Sequence, residues 1–331
     1  MKKISFFLSL CLFFSCDDGN LQIETIDFDS VSIQSCDSSI DLETVLFFKI
    51  DEDEALILDL QGDLLENITS ETNAITSDIP GESQLTYRFF SDNVSNTYFC
   101  SDIPPVAPTV IDEIEAEGGT ITINSKVSSL GSATKNYVHE VEIINLTLVN
   151  SLDERLTDAA GFDYGDITTT TSASTELLFA NYSEIAVSRC ENAPADGQIR
   201  LYKILNDEFI ALDIPETSIA NMATTTPREI NLASDGVFRN YVINTLVTTD
   251  LACMDDMLTD SNTAGEFFSV AGTASISTVE NAPNTDGAIT YTHTIALENV
   301  QLTLRRPEEE ADVVLDALEP FTFGNFTTVA N

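Results

Sequence analysis

The chain has 331 residues, with 14 lysines and arginines against 55 aspartates and glutamates, a formal charge of −41. A surface of that sign repels nucleic-acid phosphates and anionic lipid, so nucleic acid is excluded as a partner. With 43% hydrophobic residues it is no disordered acidic tail, and its length suits two ordinary domains.

At the N-terminus, Lys2 and Lys3 precede an apolar run, Ile4–Phe14, interrupted by Ser5 and Ser9. A resident membrane helix needs about 20 apolar residues, so this run has the length of a signal-peptide core instead. Ser15 and Cys16 follow it. The stretch FFSC resembles the lipobox of bacterial lipoproteins, whose cysteine is lipidated and becomes the first residue of the mature chain. The resemblance implies a signal peptide over 1–15, a lipidated (palmitate-bearing) Cys16, a tether over 16–20, and a membrane as partner through the lipid. Each buried CH2 adds about 0.8 kcal/mol, so more than one acyl chain holds firmly. The pair Asp17-Asp18 resembles the export signal of surface lipoproteins in the Bacteroidetes and implies outer-membrane, cell-surface display. In other bacteria Asp at that place implies retention at the inner membrane, so both faces of the envelope stay open. Loss of Lys2 and Lys3 with the signal leaves 12 bases against 55 acids, or −43.

Beyond the tether the chain repeats itself. The thirty residues from Val31 align without a gap with the thirty from Ile185: Cys36 falls on Cys190, Lys49 on Lys203, Leu58 on Leu212 and Asp59 on Asp213. Further on, Cys100 falls on Cys253, EAEGGTITI at Glu115 on FSVAGTASI at Phe268, YVHEVEIINLTL at Tyr137 on YTHTIALENVQL at Tyr291, and FDYGDITT at Phe162 on FTFGNFTT at Phe321. A period this long is a duplication of a whole domain, large enough to bury its own core, and not a solenoid unit. The copies are placed at 21–170 and 171–331, with the threonine run Thr168–Thr171 near the boundary.

Each copy reads as mostly β. Leu46–Ile50 and Ala55–Leu60 flank DEDE as a hairpin. Tyr137, His139, Val141 and Ile143 share one strand face, then the apolar set shifts to Ile144, Leu146 and Leu148; copy two shifts at the same place. That face switch predicts a β-bulge near Asn145 and Asn299. One short helix per copy is expected near its end, over PEEEADVVLDAL from Pro307 and, more weakly, over Leu152–Ala160. The fold class that follows is two tandem homologous Ig-like β-sandwiches. Four cysteines remain and allow three pairings. The duplication favours Cys36–Cys100 and Cys190–Cys253, as an extracytoplasmic compartment permits; no CxxC spacing supports a metal thiolate site.

The only two histidines, His139 and His293, occupy equivalent strand positions and are expected to be structural, hydrogen-bonded imidazoles. HEVEI lacks the second histidine of a zinc helix, and no GxSxG elbow, Walker loop or dinucleotide fingerprint is present. Acids gather at Asp51–Glu54 and at Asp255, Asp256 and Asp260. Calcium takes several oxygens from such loops, which makes Asp51, Asp53, Asp255, Asp256 and Asp260 the metal candidates. A solvated turn is the simpler account, since the first cluster becomes Leu205-Asn206-Asp207-Glu208 in copy two and neither has EF-hand spacing. No other cofactor is expected. The expected function is a lipid-anchored, acidic envelope protein with a binding or structural role toward an extracellular polymer or an envelope protein. A periplasm-facing structural lipoprotein is the alternative, and a carboxylate-dependent hydrolase a lesser one.

Overall fold

The computed structural model describes residues 26–330, apart from 38, 71–73, 133, 151–152, 154, 159–160, 173–178, 180, 193–194, 196, 256, 284–286 and 308–311. The signal-like run and Cys16 lie outside these residues.

Two large antiparallel sheets carry the chain, one per copy, each folded over on itself as a β-sandwich. In the first, β1 (Leu46–Asp51), β2 (Glu54–Asp59) and β4 (Gln84–Phe90) form one layer with the start of β5 (Val110–Leu130). The rest of β5 crosses to a second layer with β3 (Ile75–Ile79), β6 (Thr134–Val149), β7 (Arg155–Asp158) and β8 (Phe162–Ser172). The core lies between the layers: Phe47, Leu56, Leu58 and Ile114 meet Ile121, Ile123, Val141, Ile143 and Tyr164. Alternation along each strand sends every second apolar side chain into this space, and burial of each contributes about 1.5–3 kcal/mol.

The second sheet repeats the first. It runs β9 (Ser188–Arg189), β10 (Gln198–Leu205), β11 (Glu208–Pro215), β12 (Arg228–Asn231), β13 (Val237–Ile243), β14 (Thr263–Glu280), β15 (Thr290–Arg305), β16 (Val313–Ala317) and β17 (Phe321–Val329). Even the short β9, bridging Ser188 to Tyr202, has its counterpart in the single bridge from Gln34 to Phe48. The face switch is a bulge in both copies, where Asn145 and Asn299 take φ of 55° and 53° and the register to the neighbouring strand shifts. Asparagine tolerates this left-handed conformation better than a β-branched residue does. The hairpin turn at Asp51–Glu54 forms as the sequence indicates, Asp51 pairing with Glu54.

Among the described residues, both segments expected as helices form strands instead. Val313–Ala317 pairs with β15 through Val313 opposite Leu304 and Val314 opposite Thr303, and Arg155–Asp158 pairs with β6. Val313 and Val314 are β-branched and favour the pleated conformation, and an open edge of the long strand supplied the backbone partners that helix propensity alone does not weigh. The short helices lie elsewhere, at Asn96–Cys100 and Thr249–Ala252, each leading into the second cysteine of its copy. The expected boundary at 170/171 falls inside β8, which ends at Ser172; the threonine run is β-branched strand, not linker.

A lysine is buried in each core at the same place. Lys49 Nζ donates to Phe28 O at 3.1 Å and lies over the Tyr164 ring; Lys203 Nζ donates to Tyr182 O at 2.9 Å and lies over Phe323. Burial lowers both pKa values, against the raising influence of Asp163 and Asp29 on Lys49 and of Glu184 on Lys203. Each pins the chain entering its domain to the sheet. The matched glycine makes room: Gly324 has φ 144°, and a Cβ there would sit 3.1 Å from Lys203 Nζ.

Candidate functional site

The structure pairs Cys36 with Cys100 and Cys190 with Cys253, closing sequence separations of 64 and 63. Each bond ties the strand-like segment that enters a domain to the loop after its fourth long strand.

The two histidines are fully buried and share one wiring. His139 Nδ1 lies 2.7 Å from Ser125 Oγ and its Nε2 2.8 Å from Thr169 Oγ1, which in turn donates to Asn67 Oδ1. His293 meets Thr278 Oγ1 at 2.9 Å and Thr328 Oγ1 at 2.8 Å, and Thr328 donates to Asn221. Because each threonine hydroxyl spends its proton on asparagine, it accepts from Nε2–H, and Nδ1 is left to accept from Ser125 or Thr278. That is a neutral imidazole with both nitrogens occupied. Burial pulls His139 down to about 4 and lowers His293 too, with Arg228 adding to the second. Neither ring has a free nitrogen for a metal or a proton-transfer partner.

The acidic candidates separate. Asp51 and Asp53 are exposed on the turn between β1 and β2. Asp255 is exposed, and Asp260 accepts from the Asn262 amide at 2.8 Å in a tight turn. Asp256 lies outside the described residues. Among the described residues no three His, Cys, Asp or Glu side chains converge as a metal would require.

The equivalent turn of the second copy has a different fate, which the sequence reading missed. Asp207-Glu208 is buried against the far end of the first domain, where Val127, Leu130 and Tyr137 join the core of the second. Asp207 accepts from four donors of the first domain: Lys135 Nζ at 3.3 Å, Tyr137 OH at 3.0 Å, and the amide and hydroxyl of Thr69 at 3.3 and 3.1 Å. Arg306 Nη1 donates to Leu130 O at 3.3 Å beside it. The signal was available: in a chain so rich in acid, Leu205 and Asn206 replace two of the four acids of DEDE.

A second buried charge system crosses the sheet of the second domain. Arg200 holds Asp213 bidentately at 2.7 and 2.9 Å, and Arg239 reaches the same carboxylate at 2.7 Å. Glu266 then joins Arg239 and Arg305, and Arg305 pairs with Asp312. Five neighbouring strands, and Asp312 just before a sixth, thus alternate in sign. The first domain lacks this, because Leu46 stands where Arg200 does and Asp59 is exposed.

Comparison of the chain with protein-family models, with curated proteins and with solved structures gave no match. Both buried charge systems are interior scaffolding. Among the described residues the most exposed large apolar side chains lie in the loop after Cys100, where Ile103 is 84% and Val106 95% exposed. The matching loop of the second domain holds acids, and its Met257 is buried. Among the described residues no helix is long and apolar enough to cross a membrane.

Proposed function

We propose that the chain is a lipid-anchored protein of the bacterial envelope, held by Cys16 and displayed outward, with a binding or structural role. The observation that carries this reading is Cys16 itself, behind a signal-length apolar run and ahead of Asp17-Asp18. Two features support it. The four cysteines beyond Cys16 are all consumed in disulfides, the usage of an oxidising compartment. The exposed Ile103–Val106 loop supports the binding part of the role.

The test is Cys16→Ala. In cells fed a palmitate analogue, the wild-type chain takes up label and sediments with membranes. The variant takes up none and is released to the soluble fraction. Equal labelling of both chains, or a wild-type chain that is soluble without detergent, would exclude the anchor.

A further inference from the structure

Glu208 follows Asp207 at the joint and is treated very differently by its surroundings. Asp207 has four donors. Glu208 is 5% exposed and its Oε2 has no hydrogen-bond partner. Tyr182 OH and Asn240 Oδ1 are buried and unpartnered as well. Facing Glu208 are Lys135 and Tyr137 from β6, Asp207 from its own turn, Tyr182 from the segment before β9, and Asn240 from β13. Lys135 Nζ stands 3.9 Å from Oε2, too far for a hydrogen bond, and already serves Asp207. So one buried ammonium faces two buried carboxylates; the Asn240 side chain favours the charged form of Glu208, yet its Oε2 stays without a donor.

We propose that a proton held on Glu208 completes this site and keeps the joint between the two domains closed, and that the joint loosens when the proton leaves. The proton supplies both missing quantities. It removes the unmatched negative charge, and it turns the Glu208 carboxyl into a donor among acceptors. Burial pushes Glu208 up to about 7; Lys135 pulls it down, and Asp207 pushes it up again. The sign follows from linkage. In an open joint the carboxyl titrates near its ordinary 4.5, so between 4.5 and about 7 only the closed state holds the proton. Closure therefore weakens close to tenfold per pH unit as pH rises through that window, and is weakest above it. The two buried histidines act the other way, weakening the fold as pH falls below 6.5. This inference is independent of the lipid anchor.

The experiment uses the full-length chain in detergent, labelled with 13C at glutamate carboxyls. From pH 5 to 9, one carboxyl resonance should titrate near 7 and vanish in Glu208→Gln. Calorimetry should show the two domains unfolding together at pH 5.5 and in separated transitions at pH 8.5, with Glu208→Gln unfolding alike at both. If that variant does not fold, the wild-type titration and calorimetry still decide. The proposal is overturned if every glutamate titrates in the ordinary range, or if the wild-type transitions do not separate with pH. It is also overturned if the midpoint moves when sodium or potassium replaces tetramethylammonium at fixed ionic strength, which would put a metal cation in the proton's place.

Discussion

Replacing Asp213 by asparagine lowers the melting temperature of the second domain by on the order of 10 °C, a loss of about 3–5 kcal/mol. The size of the effect comes from what remains. Arg200 is 2% exposed, and with asparagine at 213 its guanidinium loses its counter-charge, keeping the carbonyls of Ala252 and Met254 and a single neutral amide oxygen. A buried cation without a counter-charge costs far more than the pair contributes when intact. For the same reason, Arg200→Met combined with Asp213→Leu should recover most of the loss, because it removes both desolvation penalties at once. Arg305 and Asp312 sit at the exposed end of the ladder, 43% and 42% accessible. Breaking that pair should cost under about 1 kcal/mol. Thermal unfolding of the three variants checks the ordering; a shift of only a degree or two for Asp213→Asn would show that Arg200 finds water.

Removing either disulfide by a pair of alanines destabilises its domain by about 4 kcal/mol in the chain-entropy description of loops this long. The two bonds differ in surroundings. Cys36 and Cys100 are exposed, whereas Cys190 is 3% exposed among Tyr202, Phe209, Ala252 and Met257. Solvent access alone makes a small thiol reach the first bond sooner, so timed reduction and mass mapping should find Cys36–Cys100 opened first. The second bond also holds the helix whose Ala252 carbonyl accepts from Arg200. Its loss and Asp213→Asn should therefore be non-additive, whereas loss of Cys36–Cys100 should add to Asp213→Asn within a few tenths of a kcal/mol. Denaturant melts of the double combinations measure this; equal additivity for both bonds would contradict the coupling through Ala252.

What the sequence made legible was whatever two copies say twice. The alignment of Cys36 with Cys190 and Cys100 with Cys253 selected one pairing of three, and the structure has that pairing. The shift in apolar phase at Asn145 and Asn299 located a bulge because strand side chains alternate strictly, so any slip shows. Features unique to one copy or made by long-range pairing were hidden. Val313–Ala317 follows the leading proline and acids of a helix start, Pro307 and Glu308–Glu310, yet the edge of β15 decides its conformation. The burial of Asp207 and Glu208 depends on a neighbour more than seventy residues earlier, Lys135, which no local pattern reports. The departures between copies were the informative places: DEDE against Leu205-Asn206-Asp207-Glu208 marks the joint, and Leu46 against Arg200 marks the charge ladder.

The exposed acids and the buried joint point to different tasks for equivalent turns. In the first domain the turn faces solvent; in the second it is spent on holding the domains together. A chain this rich in acid repels polyanions, while the loop from Ile103 to Val106 offers apolar contact.

The most direct measurement is protease shaving of intact cells that express the chain, with lysed cells as control and detection by antibody to the second domain. Outward display on a lipidated Cys16 predicts that the chain is cut on whole cells while a periplasmic marker stays intact. Protection until lysis would contradict outward display and leave the protein facing the periplasm.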